Sequence, residues 1–276
     1  MYYNEIEVIV KELRYYTAMD NTKILQIIDS DPYYIKLVDH PTEEMLLKAV
    51  IKNGALLKYM TNPSEDIKWE ALKSNVWSIE YMEKPSEEMC SYAVLKAWNT
   101  LKFIKDPSYE VIKNAVGIKG WAIQYARRPT EELQTLAVNT DWDSIQYIAE
   151  PSEYIQLLAV NNHFAAIKYI ENPTIRVQRE AVIQNPEAVL YLKKISNEHK
   201  LIFIKDNIDV VKYISDINIS LIEGILKEKI SEENPNKDYV LKFIKCEALL
   251  INKIKFIYYY GSKEAKKILV DYKLSF

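Results

Sequence analysis

Few residues in this 276-residue chain combine a type and a spacing that could do bond chemistry. Asp141 and Asp143 flank Trp142, and a carboxylate pair beside an aromatic ring could serve a hydrolase or a glycosylase. One short cluster in a turn is slight support, and Asp141 falls in a column of turn-forming positions. His40, His163 and His199 lie far apart, and no pair has the spacing of metal ligands. Cys90 and Cys246 sit in apolar helical contexts, so two reduced, buried thiols are expected rather than a disulfide or a metal site. Gly117 and Gly120 lack the residues that complete a phosphate loop. No catalytic residue, cofactor or metal is therefore expected, and the chain reads as non-enzymatic.

Residues suited to recognition are more numerous. Trp77, Lys102, Trp121, Gln124, Arg128, Gln146 and Lys168 are the candidate partner-binding residues. Tryptophan and arginine are among the side chains most enriched at interface hot spots. What groups these seven is a repeat.

Pro41, Pro63, Pro85, Pro107, Pro129, Pro151 and Pro173 follow one another at intervals of 22 residues without insertion or deletion. A fixed period of this length marks a stacked repeat architecture. With the proline as offset zero, offset one is always Ser or Thr and offset four always apolar. Offset eight is alanine in all seven units, Ala49 to Ala181, and offset nine is Val or Leu. Offset sixteen is Leu, Ile or Val, and offset eighteen is aromatic from Tyr59 to Tyr191. The Ser or Thr suits a helix N-cap, and glutamates after it suit the positive end of the helix dipole. Offsets four, eight and nine share one helical face. Asn53, Asn75 and Asn185 at offset twelve suit a turn, where Asn tolerates a left-handed backbone and can cap. A second helix is expected over offsets thirteen to twenty, stopped by the next proline. Helices this short are marginal alone, so each unit must lean on its neighbours. The invariant alanine implies close helix approach. The fold class expected is all-α: a right-handed or gently curved α-solenoid of about nine repeats.

Three segments follow. Residues 1–18 read as an N-terminal capping helix, residues 19–216 as the repeat solenoid, and residues 217–276 as a C-terminal helical module. The units at 19–40 and 195–216 keep the register but lose the proline, to Met19 and Ile195. Phe203 replaces alanine in the second of these, which predicts wider separation or a bend there. From Asn236 onward there are nine lysines and four acidic residues, a local excess of +5 in a chain of net charge −3. That balance fits a soluble cap or contact with an acidic partner or nucleic acid. No apolar run is long enough to span a bilayer, so no membrane partner is expected, and the composition suggests a cytoplasmic protein.

Offsets fourteen, seventeen and twenty-one vary from unit to unit and share the outer face of the second helix. They hold all seven candidate residues. Trp98 and Trp142, at offset thirteen, are expected to fill gaps between units, and the aromatic column at offset eighteen to be a core stripe. Five arginines, including the pair Arg127–Arg128, are too few for a groove tracking phosphates.

The unit Pro-Ser-Glu-Glu-Met, then Ala-Val, then Leu-Lys-Phe-Ile resembles the short two-helix repeats of the leucine-rich-repeat-variant and HEAT-like kind. It resembles still more closely uncharacterised repeats of bacterial and bacteriophage proteins that carry Ala-Val-x-x-Asn and Ile-x-Tyr-Ile-x-x-Pro-Ser-Glu-Glu. The resemblance covers about residues 19–216. Separately, Asp141–Trp142–Asp143 resembles the aromatic-plus-aspartate sites of some helical-repeat DNA glycosylases. The repeat resemblance implies an adaptor or binding role, including inhibition of host defence in phage or mobile-element genomes. The function expected is a scaffold that recognises a protein partner through the concave repeat face and the C-terminal helices. The alternative is a nucleic-acid-binding solenoid that uses the basic C-terminal segment.

Overall fold

The structure, a computed structural model, describes residues 21–215 and 217–275. The expected capping helix at 1–18 lies outside them. Among the described residues every regular element is an α-helix or a 3-10 helix, and the chain forms an α-solenoid of about nine helix–3-10 repeats followed by further helices. It divides into two compact units, one ending at Arg127 and the other beginning at Arg128.

The first unit starts with helical residues 21–30 and the 3-10 helix Pro32–Leu37. Four repeats follow: Glu43–Lys52 with Gly54–Tyr59, Glu65–Ser74 with Val76–Tyr81, Glu87–Lys96 with Trp98–Phe103, and Tyr109–Ile118 with Gly120–Tyr125. Among these four repeats each α-helix packs on the next α-helix, and each 3-10 helix on the next 3-10 helix.

The second unit continues the scheme. Its repeats are Glu131–Thr140 with Trp142–Tyr147, Glu153–Asn162 with Phe164–Tyr169, Ile175–Gln184 with Pro186–Tyr191, and Asn197–Asp206 with Ile208–Lys212. Four α-helices close it: Ile219–Ser231, Lys237–Lys245, Lys253–Tyr260 and Lys263–Leu274. Phe203 is fully buried at the alanine position. There the next neighbour is the longer Ile219–Ser231 helix rather than another repeat.

Local chemistry explains each repeat. The Ser or Thr after the proline caps its α-helix, as in Ser86 accepting from the Met89 N–H at 3.2 Å. These caps also tie neighbours together. Ser152 donates to Glu131 at 2.9 Å, Thr174 donates to Glu153 at 2.5 Å, and Ser108 donates to Glu87. In the second unit, Gln134, Gln156 and Gln178 each donate back to the carbonyl of their own repeat's proline, at 3.0, 2.9 and 2.9 Å.

The second element differs from expectation. It is a six-residue 3-10 helix over offsets thirteen to eighteen, not an α-helix reaching offset twenty. The cause lies at offset twelve, which is extended rather than left-handed. Asn75, for example, has φ −148° and ψ 108°. Its carboxamide accepts from the Trp77 N–H at 3.1 Å, and Asn53, Asn185 and Asn207 do the same to the amide two residues on. Ala97, Lys119 and Asp141 take the same extended conformation without such a bond, so it is the extended residue that ends the α-helix, and the asparagine bond reinforces the tighter turn where it is present.

A 3-10 helix has three residues per turn, so offsets fifteen and eighteen share a ridge, as do fourteen and seventeen. Offset fifteen, unremarked in the sequence, is fully buried: Ser78, Thr100, Ala122, Ser144, Ala166 and Ala188 are all inaccessible. Ser78 donates to the Ala71 carbonyl and Thr100 to the Ala97 carbonyl, which satisfies these two hydroxyls in place, whereas the buried Ser144 hydroxyl has no hydrogen-bond partner among the described residues. Offsets four, eight, nine and sixteen form the core as predicted. The close approach inferred from the alanine column is direct. A β-carbon on Gly54 would lie 2.1 Å from the Ala71 carbonyl oxygen of the next repeat. Before three of the prolines, Asn62, Asp106 and Glu150 take positive φ of 51°, 52° and 51°, a conformation costly for a residue such as Glu.

Candidate partner-binding surface

The 3-10 helices present offset seventeen to solvent in every regular repeat: Lys58, Glu80, Lys102, Gln124, Gln146, Lys168 and Leu190 are all exposed. Beside each lies the offset-eighteen ring, exposed at Tyr59 and Tyr81 and half-buried in the later repeats. The column is therefore part core and part surface, where the sequence suggested a core stripe with only its hydroxyls at the rim.

In the first unit cations bridge rings of adjacent repeats. The Lys36 ammonium lies 4.8 Å from the Tyr33 ring centroid and 4.0 Å from that of Tyr59 in the next repeat. Lys58 lies 4.9 Å from the same Tyr59 ring. Lys36 and then Lys58 hold the Tyr59 phenol below its ordinary value by hydrogen bonding to its charged form. Lys102 repeats the bridge, 5.7 Å from Trp77 and 4.5 Å from Phe103, and Trp77 meets Phe103 edge-on at 6.2 Å. Cation–π pairs of this geometry attract through the ring quadrupole.

Of the seven candidates, the structure joins Trp77 with Lys102, and Trp121 with Gln124. The Gln124 side chain donates to the Trp121 carbonyl at 2.9 Å, and Lys119 lies 4.7 Å from the Trp121 ring. Arg128 is exposed at the start of the second unit. Gln146 donates to the Asp143 carbonyl at 2.8 Å, and Lys168 lies 4.4 Å from the Tyr169 ring, whose hydroxyl raises the lysine's pKa. Lys36, Lys58, Tyr59 and Phe103 were missed. Their signal was the Lys–aromatic pair at offsets seventeen and eighteen, readable at Lys58–Tyr59, Lys102–Phe103 and Lys168–Tyr169.

The gap between a repeat's proline and the aromatic ring eighteen residues on in the same repeat is a recurring open groove. One of 540 Å³ runs past Met60, Pro63, Lys68 and Tyr81. Its counterparts of 510 Å³ at Pro41 and 380 Å³ at Pro173 are walled by Tyr59 and Tyr191.

Trp142 packs against the next repeat. Its indole stacks on the His163 ring of the next repeat at 4.5 Å, with Tyr169 6.2 Å away. His163 takes the place of the offset-twelve asparagine, and its Nδ1 accepts from the Ala165 N–H at 3.2 Å. Trp142 thus fills the gap between two repeats, as expected. Among the described residues no group of three or more His, Cys, Asp or Glu is placed to hold a metal ion, and no helix is long and apolar enough to cross a membrane. Cys90 and Cys246 are both buried and free, and burial, with the Glu87 charge beside it, pushes the Cys90 thiol up to about 11.

Comparison with protein-family models, with curated proteins and with solved structures finds no match to this chain.

Proposed function

We propose that the chain is a non-enzymatic binding scaffold that recognises a protein partner through the 3-10 face of its repeats. The observation that carries this reading is the row of cation–aromatic bridges in the first unit: Lys36 between Tyr33 and Tyr59, and Lys102 between Trp77 and Phe103. These groups are exposed or half-buried, and none is required to close the core. Rigid rings with a fixed cation between them lose little side-chain entropy on binding, which favours their use as anchors. The repeat fixes the spacing of successive anchors, while the residue at offset seventeen sets the charge displayed: Lys58, then Glu80, then Lys102.

The test is affinity capture with the immobilised chain, in parallel with a Trp77→Ala/Lys102→Ala variant whose circular dichroism matches the parent. A hot spot of about 2 kcal/mol corresponds to an affinity loss of roughly 30-fold, enough to remove a captured partner. Capture that survives the double substitution, or the absence of any protein retained by the parent, refutes the reading.

A further inference from the structure

The end of a helical stack normally turns a polar face to water. Here the last two helices turn large apolar side chains outward among their lysines. Leu250, just before the Lys253–Tyr260 helix, is 98% exposed, and Tyr258 and Leu274 are 67% and 81% exposed. Ile254 and Tyr258, four residues apart, share one face of the Lys253–Tyr260 helix, and Lys266, Val270 and Leu274 repeat that spacing along the last helix. The two rows meet, since the Lys266 ammonium lies 5.7 Å from the Tyr258 ring centroid. Tyr259 joins the same patch, its ring 5.3 Å from that of Tyr258.

Between residues 247 and 274 the charges are Lys253, Lys255, Lys263, Lys266, Lys267 and Lys273 against Glu247, Glu264 and Asp271. Lys267 pairs with Glu264 at 3.8 Å. Among the described residues Lys255, Lys263, Lys266 and Lys273 make no ion pair. The patch is therefore apolar and cationic at once.

We propose that this face docks on an anionic phospholipid surface, with the aliphatic and tyrosine side chains entering the interface and the lysines facing the headgroups. Three arguments choose this occupant. Nucleic acid would use the lysines and tyrosines but offers nothing to Leu250, Ile254, Val270 and Leu274. A second copy would set lysines against lysines. An anionic bilayer uses every group, since tyrosine belongs at the interface, lysine at the headgroup level and aliphatics below. Nothing here needs a membrane-crossing helix, so the expectation of no membrane partner, which rested on span length, does not bear on it. The proposal does not depend on the protein-binding role of the repeats.

The experiment is co-sedimentation of the full chain with phosphatidylcholine vesicles, with and without about 30 mol% phosphatidylserine, alongside a Leu250→Ser/Ile254→Ser/Tyr258→Ser variant. The three side chains are exposed, and an unchanged melting curve confirms the variant's fold. Binding is expected only with phosphatidylserine. It should weaken at least about tenfold between ~0.1 and ~0.5 M salt. The variant should bind at least about tenfold more weakly than the parent. No binding to anionic vesicles overturns the proposal. Undiminished binding by the variant overturns it, because charge alone would then suffice. A mobility shift with DNA or RNA in the absence of vesicle binding assigns the patch to nucleic acid. Dimerisation abolished by the variant, again without vesicle binding, assigns it to a second copy.

Discussion

Gly54→Ala tests the physical basis of the repeat stack with a single methyl group. Gly54 opens a 3-10 helix, and no glycine among the described residues has a positive φ, so the backbone there accepts alanine. What forbids it is the neighbour. The added carbon would lie 2.1 Å from the Ala71 carbonyl oxygen, 2.8 Å from Ser78 Oγ and 3.0 Å from the Ala71 carbonyl carbon. An ordinary carbon–oxygen contact is about 1 Å longer than the first of these, and the obstruction is main chain in the next repeat's α-helix, which cannot rotate away. The two repeats must separate, because the added carbon would also crowd the bond that Ser78 makes to the same carbonyl within the next repeat. Overpacking of this kind costs about 1–3 kcal/mol, with the backbone clash placing it near the upper end. The loss of unfolded-chain freedom offsets up to about 1 kcal/mol. The net expectation is destabilisation by about 2 kcal/mol. Gly117→Ala is the control. It is the same change inside the Tyr109–Ile118 helix, where a β-carbon meets nothing within 4 Å. Stabilisation by about 0.5–1 kcal/mol is expected there. Urea unfolding followed at 222 nm measures both. If Gly54→Ala is neutral or stabilising, main-chain contact does not set the repeat spacing.

Ser152→Ala should cost more than Ser64→Ala in urea unfolding, about 2 against about 1 kcal/mol, because Ser152 both caps its helix and donates to Glu131 while Ser64 shows only the cap. In alkali, the buried Cys90 thiol and the buried Tyr239 phenol, both held above their ordinary values by burial, favour the neutral form in the fold. Their contribution is complete below the ordinary thiol value. It declines as pH rises from about 9 toward about 11, and Cys90→Ala should flatten that decline; an unfolding midpoint that is level or rises in this range contradicts it.

The sequence made the α-helical half of each repeat legible because its signals are redundant. A proline, a capping hydroxyl, an apolar offset four and an alanine all state one helix in one register. The second half carried too few residues for its period to be read. Six residues sample both three and 3.6 residues per turn almost equally well, so the α and 3-10 readings differ mainly in where offset fifteen points. That column holds Ser78, Thr100 and Ser144, whose hydroxyls look like surface chemistry. Only the fold reveals that Ser78 bonds to the Ala71 carbonyl in the α-helix before it and Thr100 to the Ala97 carbonyl that caps its own 3-10 helix. The candidate surface was partly legible for a similar reason. Trp77 and Lys102 belong to different repeats, 25 residues apart, and the spacing alone could not show that one lies over the other. Gln124 and Gln146 stood out in the sequence, yet both turn back onto main-chain carbonyls of their own 3-10 helix.

The 3-10 geometry also explains how the same fold can carry different surfaces. Offsets fifteen and sixteen face inward and are held by contacts with the neighbouring helix, so a change there disturbs the stack. Offset seventeen projects outward from the same short helix and touches none of those contacts, which is why lysine, glutamate, glutamine and leucine all stand there with one backbone. Offset eighteen lies between these cases. Its ring walls the groove beside its own repeat's proline while leaving an edge or face in water, as Tyr59 and Tyr81 do. A ring anchored in this way gives an adjacent cation a fixed place to rest. The Lys36–Tyr59 and Lys102–Phe103 contacts are therefore consequences of repeat packing, and the charge beside each ring can change without moving the ring.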